Sequence, residues 1–121
     1  RCVRLATYCG YPDAERDNRI MEMNFGDWEM KNFDEISDPR LKEWYADYIN
    51  VPATNGESFA IQYQRVASFL DELKEKNYEK VAIFAHGGVL ICAQLYAGAI
   101  KQEEAFSALT PYGGIIQLRL D

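Results

Sequence analysis

The run Val81-Ala82-Ile83-Phe84-Ala85 passes directly into His86-Gly87-Gly88-Val89, and His86 is the only histidine of the chain. Five apolar, partly β-branched residues predict a buried strand, and the paired glycines predict a tight exit into a helix. An imidazole at the carboxyl end of such a strand, beside the free N–H groups of a helix start, is placed to help hold an anion such as phosphate. The same imidazole is equally read as a hydrogen-bonded loop residue after a core strand. Both readings stand at this point.

The 121 residues, 48% of them hydrophobic, suit one small domain. No apolar run approaches the roughly 20 residues needed to span a bilayer, and no secretory pattern opens the chain. A cytoplasmic protein without membrane partners is expected. The net charge of −6 argues against a nucleic-acid surface, because phosphate backbones are met chiefly by an excess of Lys and Arg. Cys2, Cys9 and Cys92 are odd in number and show no CxxC spacing. Neither a disulfide framework nor a metal site is expected from them.

Cys2 to Cys9 reads as a helix already under way that ends at Gly10, with Pro12 beyond. Arg19 to Met23 reads as a short strand or extended loop. Asp38-Pro39 offers a helix start, and Leu41, Trp44, Tyr45 and Tyr48 recur at helical spacing towards Asn50. Pro52 to Gly56 breaks the chain. Ser58 then caps a helix whose apolar stripe is Phe59, Tyr63, Val66, Leu70 and Leu73. Val89 to Ala99 predicts a mostly buried helix, and Ile115 to Leu120 a terminal strand. Strands separated by helices predict an α/β layer fold. Two strands and one doubtful stretch make a thin sheet, so a central part of it is expected to be missing.

Four pieces resemble a known family when taken in order. They are Arg1 with Ala6, then Ile20-Met21-Glu22 leading to Phe25-Gly26-Asp27-Trp28-Glu29, then Gly56-Glu57-Ser58, then Ala85-His86-Gly87-Gly88-Val89. Together they resemble the histidine phosphatase superfamily, the phosphoglycerate-mutase-like fold, in its branch of α-ribazole phosphatases. The resemblance implies a three-layer α/β/α fold with a mainly parallel sheet, here lacking its N-terminal central strand. Residues 1–121 would then be the C-terminal part of a single domain.

The resemblance also assigns roles. Glu22 matches the residue that protonates the leaving oxygen, and His86 the second histidine of the pocket, so both are candidate catalytic residues. Arg1, His86 and Gly87 match phosphate-binding positions, and Glu57 and Ser58 a helix-start pair near the pocket. Nothing here matches the R-H-G motif that carries the phosphorylated histidine. The segment bearing it is expected upstream, and this chain alone is expected to be inactive. Pro111-Tyr112-Gly113-Gly114 departs from the small polar residues of many relatives.

The expected function is therefore a phosphomonoesterase that needs no metal or cofactor and forms a phosphohistidine, with α-ribazole 5′-phosphate of cobalamin biosynthesis as substrate. A broad small-molecule phosphatase and a phosphoglycerate mutase are the alternatives of the same class. A non-catalytic phosphate-binding scaffold is the alternative of another class, motivated by the single histidine. The expected partner is a small phosphorylated substrate, and a homodimer is compatible with the sequence.

Overall fold

Residues 1–120 are described by a computed structural model, in which the chain divides into two units. One comprises Arg1–Glu22 and Arg65–Asp121, the other Met23–Gln64. The α-helices among the described residues are α1 (Cys2–Tyr8), α2 (Arg40–Ala46), α3 (Phe59–Glu75) and α4 (Gly87–Tyr96). Short 3-10 turns, among them Asn18–Ile20 and Gly26–Trp28, link them. No helix among the described residues is long and apolar enough to cross a membrane.

The unit Met23–Gln64 is built around tryptophan. Trp28 and Trp44 meet edge to face with ring centroids 5.9 Å apart, and Ala53, Leu41, Tyr48 and Val51 close the cluster. Buried aromatics contribute large apolar areas, and this geometry adds about 0.5–1.5 kcal/mol per pair. Asp38 ties the cluster together from its polar side. It accepts from Arg40 N–H at 2.9 Å, from Trp28 Nε1–H at 3.2 Å and from the Thr54 hydroxyl. The Thr54 hydroxyl first, and then the Arg40 N–H, hold its carboxyl below the usual carboxylate range. Where residues 24–27 cross the turn at Thr54–Gly56, the backbones touch. Asp27 N–H donates to Thr54 O at 2.9 Å, Gly26 has φ +55°, and a Cβ on Gly56 would stand 2.7 Å from Gly26 N. Only glycine fits both positions.

Helix α3 follows the expected stripe, with Phe59, Val66 and Leu70 buried. Its start is capped as predicted, Ser58 Oγ accepting from Ile61 N–H at 3.3 Å. It ends before Asn77, whose φ of +54° is the left-handed turn that stops a helix. Helix α2 ends at Ala46, short of Asn50, and α4 starts at Gly87 instead of Val89, so the glycines form its first turn.

In the other unit, residues 65–75 of α3 and helix α4 supply the buried Val66, Leu70, Val89, Ile91 and Cys92. The expected three-layer α/β/α fold with a parallel sheet is not what this unit shows: among the described residues there is no strand. Residues 80–85 and 115–120 lie outside any helix, and burial alternates along the second, with Ile116, Leu118 and Leu120 half-buried and Ile115, Gln117 and Arg119 exposed. A strand, however, exists only with a neighbour about 4.8 Å away to complete its ladder. Neither segment has one. A cavity of about 900 Å³ opens there instead, lined by Val66, Leu70, Leu73, Ile83, Val89, Ile116 and Leu118 among others.

Its lining mixes those side chains with Lys74, Asn77, Glu79, Lys80, Gln117 and Arg119, and the open apolar part is a liability for a monomer. We expect these 121 residues by themselves to take up a hydrophobic dye and to associate at micromolar concentration, read by dye fluorescence and sedimentation. A dye-free monomer with one cooperative thermal transition would contradict this.

Candidate active site

The start of α4 organises the chemistry of its unit. His86 is the N-cap residue, with extended backbone at φ −119° and ψ 165°, and Gly87 and Gly88 follow as the first helical residues. The N–H groups of a first helical turn have no partner within the helix and carry the positive end of its dipole. Gly88 N–H donates to Glu22 Oε2 at 3.2 Å, so the carboxylate of Glu22 lies against that helix start. A Cβ at position 87 would stand 2.7 Å from Cδ1 of the exposed Leu109, whose side chain would have to move aside.

The imidazole of His86 is held from a side that the motifs did not indicate. Cys2, the first residue of α1, places Sγ 3.2 Å from Ala85 O, to which the thiol can donate, and 3.4 Å from His86 Nε2. Partial burial lowers the His86 pKa below its ordinary 6.5; the negative charge of Glu22 works against that shift, and the positive charge of Arg1 works with it. Two sequence-predicted residues, Arg1 and Glu22, thus act on the third, His86, through their charges. Arg1 itself is exposed, and its guanidinium carbon lies 5.4 Å from the centroid of the Tyr112 ring. That ring belongs to the departing Pro111–Gly114 loop, a turn closed by Gly114 N–H to Pro111 O at 2.9 Å. A cation over an aromatic face is an attraction of about 0.5–1 kcal/mol at an exposed site.

Glu57 and Ser58 lie in the unit Met23–Gln64, where they have structural partners. Glu57 N–H donates to Asn24 O at 2.7 Å and Glu57 Oε1 accepts from Asn24 N–H at 2.8 Å, while Ser58 caps α3. Cys2 is the site neighbour that sequence reasoning missed, a thiol one position after the matched Arg1 being the only available signal. Tyr112 lies in the departing loop that the sequence singled out, and its contact with Arg1 is what the sequence did not indicate. Among the described residues no group of three His, Cys, Asp or Glu side chains is arranged to hold a metal ion.

The chemistry available at this helix start is anion binding beside a proton donor. Backbone N–H, imidazole and guanidinium donors can surround phosphate oxygens. A carboxyl group on the same helix start can exchange a proton with an ester oxygen.

Burial favours the neutral form of His86 in the folded chain. The unfolded chain takes up the proton first as pH falls, so the stability tied to this group is full above pH 6.5 and declines below it. We expect NMR titration of this single imidazole to give a midpoint below 6.5, and Glu22→Gln to move it further down by removing the opposing charge. A midpoint at or above 6.5 would contradict the burial account.

Residues 1–121 match the profile of the histidine phosphatase superfamily (branch 1). A protein of Hydrogenobacter thermophilus named "Putative phosphoserine phosphatase 2" is 28% identical over 108 residues, covering 87% of this chain and 53% of that protein. The "Adenosylcobalamin/alpha-ribazole phosphatase" of Escherichia coli is 36% identical over 75 residues, covering 59% of this chain and 37% of the relative. The crystal structure of the alpha-ribazole phosphatase from Shigella flexneri aligns with a TM-score of 0.72 and 26% identity, over 90% of this chain and 55% of that one. The chain spans about half or less of the length of these relatives.

Proposed function

Since this chain belongs to the histidine phosphatase superfamily, branch 1, we propose that it supplies the acid and part of the phosphate pocket of a phosphomonoesterase. The observation that carries the reading is the contact between Glu22 Oε2 and Gly88 N–H, which sets a carboxyl group beside the His86 imidazole and the first turn of α4. The family's phosphorylated histidine has no counterpart here, since His86 matches the second histidine and is the only one. The reading assigns that nucleophile to a segment outside these 121 residues.

In the first step the nucleophilic imidazole nitrogen attacks phosphorus, an N–P bond forms, and the P–O bond to the alcohol breaks. The leaving oxygen takes its electron pair with it and needs a proton, which Glu22 gives. His86, Arg1 and Gly87 N–H donate to the equatorial oxygens as charge moves onto them. In the second step water attacks phosphorus, Glu22 takes back a proton, and the N–P bond breaks to release inorganic phosphate. No metal is required by this scheme.

For substrate we propose α-ribazole 5′-phosphate, supported by the names of the E. coli relative and of the Shigella flexneri structure. Phosphoserine is a second reading, favoured by the name of the relative that aligns over most of this chain. The reading also places the protein in the cytoplasm.

The test is phosphate release from both compounds and a set of sugar phosphates, with EDTA present. We expect none from the 121 residues alone, and turnover from a protein extended upstream through an R-H-G motif. In that extended protein Glu22→Gln is expected to lower kcat/KM on a sugar phosphate by about 10²-fold or more. Extended protein that binds phosphate without releasing any from an ester would favour the scaffold alternative, and loss of turnover in EDTA would overturn the metal-free scheme.

A further inference from the structure

Three carbonyl oxygens of one short segment converge on a single guanidinium. Arg65 Nη1 donates to Arg19 O at 2.8 Å and to Met21 O at 2.7 Å, and Nη2 donates to Glu22 O at 3.1 Å. The segment so gripped is the one that presents Glu22. It leaves the 3-10 turn Asn18–Ile20 and runs on with Met21 extended at φ −71° and ψ 153°, so neither helix nor strand fixes its direction at that point. Arg65 sits in α3, a 17-residue helix that is a rigid support for the grip.

We infer that Arg65 is a positioning residue for the acid, setting where the Glu22 carboxyl stands against the α4 helix start by fixing the main chain from Arg19 to Glu22. The inference rests on Glu22 being the proton donor proposed above. The geometry suits arginine in particular, because a planar fork presents several N–H groups in fixed directions, whereas the ammonium of lysine is a single point on a flexible stem. The Glu22 residue is then held twice, through its carbonyl by Arg65 and through its carboxylate by Gly88 N–H. An acid that must meet an oxygen within hydrogen-bond reach loses efficiency steeply when displaced, by about 10²-fold for an error of about 1 Å.

The test separates an acid-positioning role from a general structural one by changing the leaving group. An alkyl oxygen needs Glu22's proton as its P–O bond breaks; 2,4-dinitrophenolate leaves without one. In the extended, active protein, kcat/KM is measured for wild type, E22Q, R65K and R65Q on a sugar phosphate and on 2,4-dinitrophenyl phosphate. We expect R65Q to lose about 10²-fold and R65K about tenfold on the sugar phosphate, with both changing less than about threefold on the dinitrophenyl ester. R65K keeps charge and stem, and carries the comparison if R65Q does not fold. Equal losses on both esters, or no loss, with E22Q still discriminating between them, would overturn the Arg65 role and leave the acid in place. An E22Q variant that loses equally on both esters would overturn the acid reading, and the Arg65 role with it.

Discussion

The hydrogen bond from Gly88 N–H to Glu22 joins positions 66 residues apart and is the contact on which the candidate site depends. A helix start offers unpaired donors and partial positive charge, and a carboxylate is a natural partner for both. Once Glu22 takes one of those donors, His86 at the cap and Gly87 beside it have a carboxyl group as neighbour. The remaining features of the unit serve that junction. Leu109 occupies the space that a side chain at position 87 would need, and Cys2 lies against Ala85 and the imidazole.

The site was legible where its residues carry their own context. His86-Gly87-Gly88 after an apolar run announces a helix start, and Glu22 stood out through the resemblance of its surrounding stretch. Cys2 was hidden because its contacts with Ala85 and His86 come from proximity that no local pattern encodes. Arg65 was hidden for a related reason. On a helical pattern it reads as one more solvated charge, and its three acceptors are main-chain oxygens, which have no sequence signature. Glu57 and Ser58 illustrate the opposite case, since the motif that singles them out also serves a cap and a tie to Asn24.

The fold was legible by element and not by layer. Helix α3 could be read from its stripe and its serine cap, because each acts within a few residues. The sheet could not be secured in the same way. Alternating burial in residues 115–120 reflects which side chains face apolar neighbours, while a strand is defined by hydrogen bonds to another segment. Periodicity reports the first and says nothing about the second. The trough lined by Val66, Leu70, Ile83, Val89 and Ile116 is the physical form of that difference.

The tryptophan cluster has a spectroscopic consequence. The chain has two tryptophans, Trp28 and Trp44, and both are buried in the unit Met23–Gln64, whereas its one histidine belongs to the other unit. Indole emission therefore reports on the first of these alone, and imidazole resonances on the second alone. Each unit carries a native probe that the other lacks. Whether the two lose structure together or in sequence is then a matter of whether two intrinsic signals change at the same denaturant concentration, without any introduced label.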